Sequence, residues 1–300
     1  DEQHRFGVHQ RLALSEKGRK TELLVMTATP IPRTLVLTHF GDMEVSLLKE
    51  KPAGRQPIDT AVLPSAQYER VISRLKQRVG EGAQAFWVCP LVEESENLNV
   101  ISAQDRFNAL KKTFGDKVGL VHGRMSGQEK QDVMERFQRN ELAILVATTV
   151  IEVGVDVPNA TIMIIEHAER FGLSQLHQLR GRVGRGQKRS ACLLLHGDNL
   201  SELAQARLEA IRSTEDGFEI AERDLELRGQ GDLLGTRQSG MPGYRIAIPD
   251  YHKSFLEMAH EDARAVLEDN PGLTGERGNA VRVLLYLFRK DLAIPLIRAC

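Results

Sequence analysis

Two kinds of apolar pattern follow one another along this chain, and the change between them predicts its layout. Residues 85–89, 118–122, 143–147, 161–165 and 191–195 are short, largely apolar runs, as expected of strands buried on both faces. Between them, Val71, Ile72, Leu75 and Val79 share one helical face, and Ser126-Gly127-Gln128-Glu129 forms a capping box opening a helix that carries Val133, Met134 and Phe137. Strands alternating with helices predict a parallel α/β sheet. After about Gly197 the strand signals stop. Leu200, Leu203, Ala204, Leu208 and Ile211 sit at helical spacing, Asp216-Gly217 breaks the chain, and Phe218, Ala221 and Leu225 predict a second helix closed by Gly229. Residues 251–300 read as helical, with a break around Asn270-Pro271-Gly272.

Ahead of the alternating region, the apolar run 23–26 leads into Thr27-Ala28-Thr29-Pro30-Ile31-Pro32, where two prolines end any regular element. This predicts a strand and then a loop. Lys51-Pro52-Ala53-Gly54-Arg55-Gln56-Pro57 is rich in breakers and poor in core formers, as an interdomain hinge should be. Three parts are therefore expected: 1–57, 58–197 and 198–300.

Composition narrows the picture only a little. The 300 residues, 41% hydrophobic and 27% charged, suffice for a sizeable core and about two domains. The formal net charge of −1 means that contact with nucleic acid must come from local Arg and Lys placement rather than a global field. Cys89, Cys192 and Cys300 are odd in number, far apart and without CxxC spacing, which argues against a disulfide framework or zinc site and for a reducing, cytoplasmic setting. No apolar run reaches membrane-spanning length. The opening Asp1-Glu2-Gln3-His4, with no initiator Met, predicts a start inside a longer protein.

Three strings could carry chemistry. An acidic pair such as Asp1-Glu2 suits a Mg-nucleotide site, one carboxylate holding the metal and the other orienting a water, although four residues alone read more readily as a surface acidic turn. Gln175-Leu176-His177-Gln178-Leu179-Arg180-Gly181-Arg182-Val183-Gly184-Arg185-Gly186 sets Arg182 and Arg185 three residues apart, on one side of a helix or helix-like turn, beside glycines that permit close approach. Forked guanidinium groups placed so are suited to phosphate oxygens. Between these strings, Thr148-Thr149-Val150-Ile151-Glu152-Val153-Gly154-Val155-Asp156-Val157-Pro158 leaves a strand at its carboxyl end, where parallel sheets bind ligands.

In this order, DEQH, TATPIPRT, VHGRM, ATTVIEVGVDVPNAT and QLHQLRGRVGRG resemble the motif series of superfamily 2 helicases, in which two RecA-like lobes clasp ATP. The resemblance implies an α/β fold of a partial first lobe (1–57), a complete second lobe (58–197) and a helical extension (198–300). It implies that Asp1 and Glu2 serve Mg²⁺ and the attacking water, that His4 communicates with Gln178, and that Thr27 and Thr29 link hydrolysis to lobe movement. Gly154 and Asp156 would touch ATP, Arg182 and Arg185 would be arginine fingers, and His122, Arg124, Thr148 and Thr149 would face DNA phosphates.

The narrower likeness follows the motor. The segment 216–240, from DGFEIAERDLELRG to GDLLGTRQSG, is similar to the translocation hairpin and loop shared by the RecG and Mfd families, and GDLLGTRQSG, DEQHRFGVHQR and CPLVEES are similar to RecG. It implies coupling roles for Arg223, Arg228, Arg237 and Gln238. Because Arg223, Arg228 and Arg237 are interleaved with Glu222, Asp224, Glu226 and Asp232, the segment can exchange ion-pair partners; its plainer alternative is a helix paired with itself at i,i+4. The function implied is ATP-driven remodelling of branched double-stranded DNA in repair and recombination, by a monomer that meets single-strand-binding protein at forks and no membrane. The rivals are an Mfd-like translocase and a non-catalytic DNA-binding fragment.

A phosphate-cradling GxxxxGK[ST] string is absent from the sequence, so this chain by itself is expected to bind nucleotide weakly and not to hydrolyse it. The histidines show no metal-ligand spacing, and Trp87 and the phenylalanines do not alternate with basic residues as a stacking platform would, which assigns them to the core.

Overall fold

The computed structural model describes residues 55–90, 96–148, 157–186, 188–233 and 249–288, with Leu24, Met26, Thr27, 46–48 and Glu50; within these, the side chains of 96–101, 228–233, 249–254, 256 and 257 are outside the description. The chain divides into two compact units, one of residues 50–235 and one of 1–49 with 236–300.

The first of these units is built on a six-stranded sheet with strand order β1-β6-β5-β2-β4-β3, all neighbours parallel. In chain order the strands are β1 (Ile58–Pro64), β2 (Gln84–Val88), β3 (Val118–Val121), β4 (Ile144–Ala147), β5 (Ala160–Ile165) and β6 (Ser190–His196). Helices α1 (Tyr68–Gly80), α2 (Glu96–Phe114), α3 (Gly127–Gln138) and α4 (Leu173–Arg180) alternate with them, followed by α5 (Glu202–Ser213) and α6 (Gly217–Leu233). Every apolar run expected from 85 onward is a strand.

Side chains alternate across the sheet, so each central strand feeds two cores. Phe86, Val88, Leu145, Ala147, Met163, Ile165 and Leu194 join one cluster with Phe137 of α3, Leu173 and Leu176 of α4, and Leu208 and Ile211 of α5. Ala85, Trp87, Ile144, Val146, Ile162 and Ile164 join the other, with Val71 and Leu75 of α1 and Leu110 of α2. At about 1.5–3 kcal/mol for each large side chain removed from water, these two layers are the main source of stability. Trp87 is fully buried, in agreement with its assignment to the core. Gln84 is also buried, and its amide donates to the carbonyls of Phe137 (2.6 Å) and Leu142 (2.7 Å), tying the start of β2 to the end of α3.

The capping box is present as expected: the Ser126 hydroxyl accepts from the Glu129 backbone N–H, and the Glu129 carboxylate accepts from the Ser126 N–H at 2.8 Å. Besides α2, for which the sequence pattern held no expectation, two elements differ from expectation. Strand β1 carries no clear apolar run, and α6 continues through Gly229 and Gly231 to Leu233, because a glycine costs a helix only about 1 kcal/mol and breaks it only when nothing else holds it.

The other unit contains α7 (Pro249–Asp269) and α8 (Gly275–Leu287), in line with the expected helical end and its break. Asn270 closes the intervening turn, its amide donating to Thr274 O at 2.7 Å and its carbonyl accepting from Thr274 N at 3.1 Å. A Cβ at Gly278 would lie 2.1 Å from the Leu273 carbonyl carbon, so only glycine lets α8 approach that turn.

Candidate nucleotide and nucleic-acid site

The carboxyl ends of the parallel strands lie along one edge of the sheet, and His122, Arg124 and Thr148 among the described candidate residues follow them directly. His122, Gly123 and Arg124 leave β3, Thr148 leaves β4 and Glu166 leaves β5. Thr148 is buried, and its backbone N–H donates to Val121 O at 3.3 Å, which ties the start of its loop to the end of β3. Arg124 is exposed, while Lys130, one helical turn into α3, donates to Gly123 O at 3.1 Å and holds the loop. Burial first, and then the charges of Lys130 and Arg124, keep the His122 imidazole below its ordinary pKa, so it is neutral at pH 7.

The basic string after β5 takes the turn, of the two arrangements its spacing left open. Helix α4 ends at Arg180 and Gly181 caps it, so Arg182 and Arg185 lie on the following turn rather than on a helical face. That turn is held by Gly184 at φ +74°, where a Cβ would also press within 3.0 Å of Ile58 Cγ1. Only glycine enters this conformation cheaply. Arg185 is exposed and Arg182 half-buried; Gln178, in the last turn of α4, is half-buried.

Arg180 is the residue of this string that sequence reasoning left unassigned. Its side chain is buried, and its guanidinium donates to the carbonyls of Ile211 and Thr214 (2.9 Å for the latter) and lies 3.3 Å from His177 Nδ1. Burial lowers its pKa from the usual value. Arg180 therefore joins the end of α4 to the turn between α5 and α6. Other links run the same way: Ser174 donates to Asp224 at 3.1 Å, and Arg207 of α5 donates to Phe171 O at 3.3 Å. Arg223 pairs with Glu219 at 2.5 Å and donates to Ser213 Oγ at 3.0 Å, so this arginine takes the plainer i,i+4 arrangement together with a bond to the end of α5.

A second cluster that the sequence did not announce stands at the ends of β2 and β5. The Glu166 carboxylate accepts from Trp87 Nε1 at 2.8 Å and is paired with Arg106 of α2 at 2.5 Å, while Arg106 lies 4.5 Å from the Tyr68 ring centroid. It pins α1 and α2 to the edge of the sheet. The neighbouring Cys89 thiol is raised by burial and by Glu166, and that of Cys192 is pushed up to about 12 by burial, so both are protonated core groups.

Asp1, Glu2, His4, Thr29, Thr149, Gly154, Asp156, Arg237 and Gln238 lie outside the described residues, as does the Arg228 side chain. Thr27 belongs to the other unit. Among the described residues no group of His, Cys, Asp and Glu could hold a metal, and no helix is long and apolar enough to cross a membrane.

The family described as helicase conserved C-terminal domain matches residues 66–187, which span most of the parallel sheet and the arginine turn, so this part is a helicase C-terminal lobe. A second family, described as ATP-dependent DNA helicase RecG, domain 3, C-terminal, matches residues 214–290. The chain is 53% identical over 272 residues to the ATP-dependent DNA helicase RecG of Acidithiobacillus ferridurans and 54% identical over 277 residues to that of Escherichia coli K12, covering 90% of this chain in each case. It is similar, with TM-score 0.65 and 44% identity over 86% of its length, to a structure of RecG bound to a three-way DNA junction, 33% of which it covers. The chain belongs to the RecG family of ATP-dependent DNA helicases. It spans about 40% of the length of these curated relatives.

Proposed function

We propose that this chain supplies the second motor lobe and the translocation hairpin of an ATP-dependent DNA helicase that remodels branched duplex DNA, such as stalled forks and Holliday junctions, in repair and recombination. The observation that carries this reading is the bonding of the α4 end, beside the arginine turn, to the α5–α6 hairpin through Arg180. A change at the nucleotide would then reach the element placed to grip DNA. Arg182 and Arg185 are the fingers for the γ-phosphate, and a GxxxxGK[ST] loop, which these 300 residues do not contain, would cradle the β- and γ-phosphates from a further lobe. The fit of ATP rests on the arginine turn, whose forked donors suit phosphate oxygens. When bound, Mg-ATP supplies the phosphoryl transfer that drives movement. Asp1 and Glu2 would hold Mg²⁺, with His4 and Gln178 between lobes, Gly154 and Asp156 at the nucleotide, and Thr27, Thr29, Arg223, Arg228, Arg237 and Gln238 in coupling.

DNA would run along His122, Arg124, Thr148 and Thr149, meeting phosphates and shape rather than base edges. Binding of a labelled fork to the chain should therefore fall steeply with salt, by about 0.9 log units per tenfold rise in salt for each phosphate engaged, and should not depend on base sequence. Fluorescence anisotropy checks this. A flat salt profile or a strong sequence preference contradicts the reading. The RecG domain 3 match at 214–290 favours it over an Mfd-like translocase. Action as a monomer in the cytoplasm, with single-strand-binding protein as a fork partner, completes the proposal.

A further inference from the structure

Where α5 passes into α6, four consecutive residues each hold a different part of the molecule. The Ser213 hydroxyl accepts from Arg223 of α6 at 3.0 Å, and the Thr214 carbonyl accepts from Arg180 at the end of α4 at 2.9 Å. The Glu215 carboxylate accepts from the Ile58 backbone N–H at 2.5 Å, and the Asp216 carboxylate accepts from the Phe218 N–H at 2.8 Å in the first turn of α6. Three of these bonds stay among α4, α5 and α6. That of Glu215 leaves them, because Ile58 opens β1 and stands directly after 51–57, the segment expected to be an interdomain hinge.

The fold does not depend on that bond. Strand β1 is paired with β6 over seven positions, from Ile58↔Ser190 to Pro64↔His196, and Ile58 lies against Gly184. Helices α5 and α6 are fixed by the burial of Leu208, Ile211 and Ile220, by Arg180, and by Ser174 donating to Asp224. Glu215 adds a directional link, an ionised acceptor on a backbone donor 157 residues earlier in the chain. Burial lowers the pKa of Arg180, and the charge of Glu215 opposes that change, so the carboxylate also supports the neighbouring tie. Hinge exit and arginine turn therefore reach the start of the hairpin by separate bonds on adjacent residues, Glu215 and Thr214.

We infer, on the reading of the α5–α6 hairpin as the translocation element given above, that Glu215 is a positioning residue of the hairpin. It fastens the start of α6 to the exit of the hinge, so that movement entering through residues 51–57 reaches the hairpin independently of the signal carried by Arg180.

The test measures forks converted per ATP hydrolysed by the chain joined behind a phosphate-loop lobe and a wedge domain, in the parent, Glu215→Ala and Glu215→Gln forms. Glu215→Ala is expected to keep DNA-stimulated hydrolysis within about twofold of the parent and to lower the forks converted per ATP about tenfold, the loss of one charge-assisted contact. Glu215→Gln, whose side-chain carbonyl still accepts from the Ile58 N–H, should recover most of that ratio. In the 300-residue chain, Glu215→Ala should speed hydrogen exchange of the Ile58 amide and lower Tm by about 2–4 °C. An unchanged ratio in Glu215→Ala, or unaltered exchange at Ile58, overturns the inference and leaves the proposed function standing. Hydrolysis and conversion that fall in proportion make Glu215 a structural residue, and a loss that Glu215→Gln does not relieve assigns it to charge alone; either result overturns the inference. No fork conversion by the parent form overturns the proposed function and this role with it.

Discussion

Arg185→Ala is expected to lower ATP turnover by about 10³–10⁵-fold, measured as phosphate release by the chain joined behind a first lobe that carries a phosphate loop. The loss should fall on kcat, because a finger stabilises charge that develops only in the transition state. Arg185 is exposed on a turn shaped by Gly184 and not packed into either core, so melting temperature and DNA affinity should remain near those of the parent. Arg185→Lys should recover little, since an ammonium cannot reproduce the forked donor. A loss confined to KM would reassign the residue to ground-state binding.

The other large effect is expected at Arg180. Its side chain is buried and donates to two carbonyls at the turn between α5 and α6. Arg180→Ala leaves those carbonyls without their donor and a void behind them, at a cost of about 3 kcal/mol. For a unit of this size that corresponds to a fall of about 6–12 °C in Tm. Hydrogen exchange should show the loss concentrated at the end of α5, the start of α6 and the end of α4. In the lobe-joined form, a surviving but DNA-insensitive ATPase is expected, because the fingers remain while their connection to the hairpin is cut. Arg180→Lys, whose donors all sit on one nitrogen and lack the fork, should fall between Arg180→Ala and the parent. A shift of Tm with DNA stimulation intact would make Arg180 a purely structural tie.

The central strands were legible because burial on both faces removes the need for polar alternation: 85–89, 143–147 and 161–165 read as strands from their apolar runs alone. Strand β1 was not. It is an edge strand paired only with β6, most of its residues are half-exposed, and Asp59 and Thr60 interrupt its pattern. Helix α2 was not read from the sequence although Ala103, Phe107, Leu110 and Phe114 fall on one stripe and pack with the second cluster, to which Arg106 adds its ion pair with Glu166. The end of α4 shows a different limit. Spacing left a helix or a helix-like turn open for Arg182 and Arg185; the helix stops at Arg180, and a turn shaped by Gly184 carries them.

The chemistry was legible as strings and the connections between strings were not. Arg180 looked like one more cation in a basic run, and its role emerges only when α5 folds back and offers it the carbonyls of Ile211 and Thr214. Arg55 looked like a hinge residue and meets Gly181 only because β1, which follows it, pairs with β6. Both depend on contacts between residues far apart in sequence, which no local pattern encodes. Asp224 is similar: read as part of an exchangeable charge array, it accepts from Ser174 and so fastens α6 to α4.

The most direct test of the central claim is fork remodelling by the chain joined behind a phosphate-loop lobe and a wedge domain, followed with a labelled model fork in the presence of Mg-ATP beside the 300-residue chain alone. The account predicts ATP-dependent conversion of the fork by the joined form, its loss in Arg185→Ala, and no conversion by the chain alone. ATP hydrolysis by the joined form that is stimulated by duplex DNA and leaves the fork unaltered would contradict it.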